Sequence, residues 1–465
     1  MPQHSSVPSI QAPAKVLSTL EPDGSRRWIR PRLSMGDWWT RRRIVAYVLI
    51  LVFVAIPHLR IGGQPLVLLD IPARRFTFVG HAFLPTDTVL LALAMLGIGV
   101  AVVLATTLAG RVWCGWGCPQ TVYMEFLFRP LDRWFERTVG RGGKPKRPVT
   151  GMLAVLRYIV YLILCMLLAH TFLAYFVGTE TLARWVRTPP WQHPTAFLVM
   201  GGTTALMMFD FLVFREQMCL IACPYGRFQS VMLDRQSLIV TYDPGRGEPR
   251  KKGRHREGDG AGDCVDCNQC VVVCPTGIDI RDGLQMECIN CTQCIDACDN
   301  VMTRVGKPTG LIRYGSQDGL EGKPTRFVRM RTLLYPLLLA GISVAFLLVL
   351  STKYAFDAKL LRGAGNPFNR TNDQLIVNTF RLRLNNRTNG ARRYRFDVIE
   401  PIEATTRADG NGGIDLPAGG TQLVPISVSV PVKVIGLAGA LAGKMQVTDD
   451  IGNERVLEFR LLGPR

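Results

Sequence analysis

Cys264-Val265-Asp266-Cys267-Asn268-Gln269-Cys270-Val271-Val272-Val273-Cys274-Pro275 and, after a short connection, Cys288-Ile289-Asn290-Cys291-Thr292-Gln293-Cys294-Ile295-Asp296-Ala297-Cys298 repeat one spacing, C-x2-C-x2-C-x3-C. Three cysteines two residues apart wrap a loop so that three thiolates point inward at three irons of one cubane, and the more distant fourth serves the cluster of the other run. The pattern assigns one [4Fe-4S] cluster to Cys264, Cys267, Cys270 and Cys298, and a second to Cys288, Cys291, Cys294 and Cys274. A zinc ribbon uses two separated C-x2-C knuckles, and a third cysteine in one knuckle has no place in its tetrahedral site. Asp299 stands where a ferredoxin usually has a second proline, which leaves the ligands unaffected.

Two further pairs lie upstream. Trp113-Cys114-Gly115-Trp116-Gly117-Cys118-Pro119 and Met218-Cys219-Leu220-Ile221-Ala222-Cys223-Pro224 each carry C-x3-C-P, and each follows an apolar hairpin. On a helix, residues i and i+4 share a face, so Cys114 with Cys118 and Cys219 with Cys223 form two-thiolate clips. If the hairpins are related by pseudo-symmetry, the clips converge on a four-thiolate site of the kind that suits Cu(I), zinc or an iron-sulfur centre. The plainer alternative is small packing residues or a redox disulfide. Twelve of the thirteen cysteines thus fall at fixed spacing, too clustered for a disulfide scaffold. Thiolate ligands belong in a reducing compartment, so the segments carrying them should face the cytoplasm.

Outward from these motifs, apolar residues gather into stretches of roughly membrane-spanning length. Five spans are predicted, over 44–57 (running on to about 61), 88–108, 156–178, 195–214 and 333–350. The connection 110–148 carries Arg111, Arg129, Arg133, Arg137, Arg141, Lys144, Lys146 and Arg147, whereas 182–191 carries only Arg184 and Arg187. Retention of positive loops puts the amino terminus inside and, after five crossings, the carboxyl-terminal segment outside. The net charge of +19 has the same origin and does not indicate nucleic acid. Beyond the last span, alternating runs at 374–384, 391–399, 421–432, 444–447 and 455–462, with turn signals at Asn389-Gly390 and Asp450-Ile451-Gly452-Asn453, predict a small antiparallel sandwich like an immunoglobulin domain.

The expected fold is a multi-domain membrane protein: an α-helical transmembrane bundle, a ferredoxin-like 2[4Fe-4S] segment and a C-terminal immunoglobulin-like β-sandwich. Its parts are a flexible basic cytoplasmic tail (1–43), a four-helix membrane region with both C-x3-C-P motifs (44–240) and a mobile basic linker with some attraction for membrane lipid (241–262). A 2[4Fe-4S] ferredoxin-type domain (263–310), a connection (311–332), a fifth transmembrane helix (333–351) and the outer domain (352–465) follow. Lesser candidates are Met200, Met207, Met208 and Met218, read first as packing and second as a copper path. Asp210, near the end of a span, could pair with Arg111 or Arg215 or relay a proton. His58, His81, His170 and His193 lack the facing pairs of membrane haems, and Cys165, alone in mid-span, reads as an inert thiol.

With these residues placed, the chain resembles the CcoG family, also called FixG or RdxA, of cytochrome c oxidase accessory proteins. The resemblance rests on Asp70-Ile71-Pro72-Ala73-Arg74-Arg75-Phe76, residues 114–120, and Phe214-Arg215-Glu216-Gln217 running into Cys219 and Cys223-Pro224-Tyr225. It continues through Arg246-Gly247-Glu248-Pro249 and Thr276-Gly277-Ile278-Asp279-Ile280-Arg281-Asp282-Gly283-Leu284. It implies a polyferredoxin of the bacterial inner membrane, with clusters cytoplasmic and the sandwich periplasmic, that reduces Cu(II) to Cu(I) for assembly of a haem-copper oxidase of the cbb type. The implied partners are oxidase subunits or assembly factors and a cytoplasmic electron donor. Cys114, Cys118, Cys219 and Cys223 take the catalytic, metal-holding role, and the eight cysteines of the two runs hold the clusters. A quinol dehydrogenase subunit shares the four helices, paired motifs and ferredoxin runs; the fifth span and sandwich count against it. A non-catalytic assembly scaffold is the remaining alternative.

Overall fold

The computed structural model describes residues 18–21, 23, 25–61, 63–71, 75–79, 81–83, 87–137, 149–253, 260–324, 328–352, 354–362, 366–372, 374–388, 390–408, 413–436 and 439–464. Of the features named above, Pro72, Ala73, Arg74, Arg141, Lys144, Lys146, Arg147 and Asn389 lie outside them, as do residues 1–17, 22 and 24 of the tail. Two compact units divide the chain, one of Met1–Pro57, Leu91–Ala174 and Gly178–Phe346, the other of His58–Leu90, Tyr175–Val177 and Leu347–Arg465.

Five long helices mark the apolar stretches: α1 (Asp37–Ala55), α2 (Thr88–Ala109), α3 (Met152–Val177), α4 (Pro194–Phe209, continued by a π turn to Phe214) and α5 (Met330–Ser351). Among the described residues, four are long and apolar enough to cross a membrane: α2, α3, α4 with its π turn, and α5. Between 6% and 22% of each apolar window is buried, so Leu91, Met95, Leu198, Leu206 and Leu337 face outward on a scale that calls for lipid or partner surface. The fifth expected span, 44–57, falls in α1, which is not one of the four. Its first turns carry Asp37, Arg41, Arg42 and Arg43, and Arg42 is buried at 1% exposure within the protein. The helix thus begins inside the cluster unit, where its basic residues have protein partners.

No residue of α1 caps its own amino terminus. Gly36 precedes it without a side chain, and the carboxylate of Asp296 accepts from the amides of Trp38 (3.2 Å) and Trp39 (2.7 Å), supplying the acceptor that the first turn lacks. A Cβ at Gly36 would lie 2.4 Å from the Asp296 carboxyl carbon, so glycine is what admits the cap.

The basic linker does not run free over its described residues. Tyr242 is buried at the end of Ile239–Tyr242, which pairs antiparallel with Ile312–Gly315. Amides of Lys251 and Gly253 donate to Cys264 and Val265, and Arg246 binds Asp263 at 2.6 Å. Charge alone suggested a solvated strap; the strand pairing, invisible in the composition, ties both its ends to the cluster segment.

In the second unit, one sheet runs in the order Thr405–Ala408, Thr421–Pro431, Leu375–Asn386, Phe356–Arg362, with Asn369–Asn372 also on Leu375–Asn386. The other runs Ile414–Leu416, Arg392–Glu400, Ala440–Asp449, Glu454–Leu462. The period-two pattern does what it predicts: Ile376, Phe380, Leu382 and Leu384 point into a core shared with Val424, Ile426, Val428, Met445 and Val447. Asn378 sits on that same inward face. Its side chain donates to Leu462 O (3.0 Å) and accepts from Leu462 N (2.9 Å), so one amide fastens the two sheets together. The unit also holds short strands between 60 and 83, a hairpin and a three-stranded meander, which the sequence pattern did not reveal.

Candidate functional site

The cluster segment is built as two copies of one loop. Asp266 and Asn268 in the first, and Asn290 and Thr292 in the second, take positive φ between 47° and 61°, at matching offsets from Cys264 and Cys288. These left-handed residues curl each loop back on itself, and a short helix follows each, Gln269–Val272 and Gln293–Val305. The polar side chains Asn and Asp tolerate that conformation better than most.

The thiols gather in two sets. One small cavity is lined by Cys264, Cys267, Cys270 and Cys298; another has Cys274, Cys288, Cys291 and Cys294 in its wall, with Cys270 at its edge. Each set draws its fourth member from the other run. Among the described residues no three Cys, His, Asp or Glu side chains are gathered tightly enough for a single metal ion. Four sulfurs spread around a cavity suit a polynuclear cluster, whose ligands stand further apart than those of one ion. The surroundings also fit: Val240, Ile278, Ile280 and Ile289 complete the wall of the second cavity with apolar surface, which keeps water from a cluster. Burial raises Cys298 and Cys270 to about 12 and Cys288 to about 11. Cluster assembly therefore has to displace protons.

The two C-x3-C-P motifs share one conformation, and it is not the α-helix expected of i and i+4. Trp113–Gly117 and Met218–Ala222 are π turns; Cys118 and Cys223 then open into extended backbone, each donating its amide five residues back (2.8 Å in both) and each preceding a proline-led helix. The wider π turn widens the step between the paired cysteines. The four thiols lie within electrostatic reach of one another, Cys118 and Cys223 acting on Cys114, and Cys118, Cys114 and Cys223 on Cys219, without three of them being gathered for a single ion among the described residues. Gln229, fully buried on the helix after the second motif, accepts from Cys114 Sγ of the first at 3.1 Å. Burial pushes Cys114 and Cys219 to about 12, the nearby Arg111 opposing it at Cys114.

Contact between the thiol site and one cluster loop is direct. An added Cβ at Gly115 would lie 2.4 Å from Ile289 O and 2.8 Å from Asn290 O, so the π turn rests on the backbone between Cys288 and Cys291. Arg42 stitches the two, its Nε donating to Gly115 O and its Nη1 to Cys291 O, both at 2.9 Å. Burial raises Cys291 to about 12 against the pull of that guanidinium. Arg111 adds bonds to the carbonyls of Met286, Cys288 and Gly226, joining the first hairpin to the cluster loop and to the second motif's helix. The cavity of Cys274, Cys288, Cys291 and Cys294 is thus the one next to the paired thiols. Trp38 stands edge-on to both Trp116 (6.2 Å) and Tyr314 (5.2 Å) beside it.

Among the other candidates, Asp210 lies within electrostatic reach of Cys219. Asp210 pairs with neither expected arginine: Arg215 is held by Asp132 at 2.8 Å, and Arg111 is spent on main-chain carbonyls. Met207, Met208 and the fully buried Cys165 pack in an apolar cluster around Phe128 and Tyr161. Arg42 and Asp296 were hidden from sequence reasoning, the first inside a basic run explained by membrane topology, the second between two ligands. The signal that could have exposed the contact was Gly115, one of two glycines between the cysteines of the first C-x3-C-P motif where the second motif has Leu220, Ile221 and Ala222.

Three family profiles match the chain: a 4Fe-4S dicluster domain over residues 214–317, a 4Fe-4S binding domain over 91–141, and the Ig-like fold at the C-terminus of FixG over 346–464. Protein RdxA of Cereibacter sphaeroides is 35% identical over 444 residues, 91% of this chain and 94% of that one. RdxB of the same organism is 34% identical over 89% of this chain and 88% of its own. The nitrogen fixation protein FixG of Rhizobium meliloti is 35% identical over 63% of this chain and 57% of its own.

Proposed function

The chain belongs to the family of RdxA, RdxB and FixG, and on that premise we propose a membrane-bound iron-sulfur electron-transfer protein that reduces Cu(II) to Cu(I) for assembly of a haem-copper oxidase of the cbb type. Cys264, Cys267, Cys270 and Cys298 hold the cluster that receives electrons from a cytoplasmic donor, and Cys274, Cys288, Cys291 and Cys294 hold the one that passes them on. Cu(II) is taken at Cys114, Cys118, Cys219 and Cys223, gains one electron, and leaves as Cu(I), the state that thiolates favour. The chain crosses the membrane with the clusters inside and the sandwich outside. One observation carries the reading: the π turn bearing Cys114 rests on the loop bearing Cys288 and Cys291, with Arg42 bridging them.

The full-length protein, reduced without oxygen and mixed with Cu(II), should regain the visible absorption of oxidised clusters as a Cu(I)-specific chelator colours. Cys118→Ser with Cys223→Ser should slow both changes together. Clusters that stay reduced, with no Cu(I) formed, would remove copper as the substrate.

A second reading is favoured by the 4Fe-4S binding profile over 91–141, a stretch whose cysteines are Cys114 and Cys118. Two thiolates do not complete a cubane, and Cys219 with Cys223 would supply the rest. The paired thiols then hold an iron-sulfur centre of their own. Iron and sulfide counts separate the two: about eight irons per chain for two clusters, about twelve for three.

A further inference from the structure

A cavity of about 370 Å³, with none of the twelve paired or clustered cysteines in its lining, lies where the helix Arg129–Glu136 meets the ends of α3 and α4 and residues 28–31. Five arginines line it against two carboxylates, Asp132 and Glu136. We propose that it is a binding site for a phosphate group, supplied by an acidic phospholipid.

Charge is the first argument. Arg215 and Arg157 share Asp132 at 2.8 Å each, and Arg30 and Arg157 share Glu136. Behind the wall, Glu125 and Glu216 hold Arg129, and Arg26 also leans on Glu216. Arg133 makes no hydrogen bond or ion pair among the described residues, though Glu125 and Asp132 act on it through space. Six guanidinium groups therefore face four carboxylates. Arg129 and Arg215 are buried together with Asp132, Glu136 and Glu216, so the surplus positive charge lies on the half-buried Arg30, Arg133 and Arg157 of the wall, where an anionic group can answer it.

Geometry is the second. The Nε atoms of Arg129 and Arg157 are buried without a hydrogen-bond partner among the described residues, and both side chains form the cavity wall. Planar guanidinium forks match phosphate oxygens, and the volume accommodates a headgroup. The source follows from the remaining wall: Tyr158 on α3 and Leu212 and Val213 on the end of α4 belong to two helices apolar enough to cross a membrane, and Tyr158 and Val213 are 55% and 45% exposed. A free phosphate has no use for that apolar flank, whereas acyl chains do.

The test uses the full-length protein, stripped of lipid in neutral detergent and placed in nanodiscs of phosphatidylcholine alone, phosphatidylcholine with phosphatidylglycerol or cardiolipin, or phosphatidylcholine with inorganic phosphate in the buffer. Lipid retained on re-extraction is counted by native mass spectrometry. Acidic lipid should be retained over phosphatidylcholine by about tenfold, the weight of a charge-assisted contact. Arg133→Gln should abolish the preference, and Arg133→Lys should largely keep it. Displacement of acidic lipid by inorganic phosphate would support the phosphate chemistry, while thermal stabilisation by inorganic phosphate with no retained acidic lipid would overturn the lipid source. Equal retention of all lipids by the wild type with no effect of phosphate overturns the site itself, whether or not the variants fold. A preference that survives Arg133→Gln in folded protein overturns it as well.

Discussion

Replacing Arg42 by glutamine takes a fixed positive charge from between the paired thiols and one cluster, and should lower the midpoint potential of that cluster alone. The wild-type guanidinium is 1% exposed and binds Gly115 O and Cys291 O at 2.9 Å each, so its field is little screened by water. A cluster gains a negative charge on reduction, and a nearby cation favours that state. A hydrogen bond to a charged group contributes about 1.5–3 kcal/mol. For a one-electron couple, where a factor of ten is about 59 mV, this is a fall of roughly 65–130 mV. The other cluster has its own arginine, Arg281, on Asp266 at 2.7 Å and Asp279 at 2.6 Å, and its potential should not move. The assay is a redox titration of full-length protein followed by electron paramagnetic resonance, with iron counts showing that both clusters are retained. Two unchanged midpoints, or two that shift equally, would refute the reasoning that Arg42 acts on the cluster of Cys274, Cys288, Cys291 and Cys294.

Gly115→Ala should cost that same cluster, because the new methyl meets backbone carbonyl rather than a side chain that could turn aside; the iron count should fall toward half while the signal of the other cluster persists. Asn378→Ala should destabilise the sandwich by about 2–3 kcal/mol, since it orphans both the N–H and the C=O of Leu462, and faster hydrogen exchange across Glu454–Leu462 is the readout. At Asp449, burial works to raise the carboxyl, but bonds from the Asn453 side chain (2.7 Å) and the amides of Asn453 and Ile451 outweigh it and hold the group below its ordinary value. A depressed carboxylate stabilises the fold above the unfolded value near pH 4, and that contribution is lost as pH falls through the lower folded value. Asp449→Asn should flatten this acid limb in the exchange of Ala440–Asp449, and an unchanged pH dependence would count against it.

The cysteine spacing made the two cross-paired quartets legible because cluster geometry leaves a loop few ways to wrap, and the structure gathers Cys274 and Cys298 with the opposite runs. Strands of the sandwich were legible where burial alternates strictly, as from Ile376 to Leu384, and missed where they are short edges, as at Ile414–Leu416. Spacing misjudged the backbone at Cys114 and Cys118, since a π turn and an α turn leave the same residues in the same order. At α1 the burial of Arg42 was not legible for a different reason: hydropathy registers a guanidinium as a cost of burial and knows nothing of two carbonyls waiting for it. Arg42 and Gly115, like the Asp296 cap, depend on contacts between residues 73 to more than 250 positions apart, which no local pattern encodes.

That last contact bears on the order in which the molecule is made. The helix at residue 37 leaves the ribosome long before the aspartate that completes its first turn, and that aspartate stands between Cys294 and Cys298. That helix is therefore finished only after the iron-binding segment has emerged and closed, so a nascent chain starved of iron should keep its first turn frayed and open to proteases.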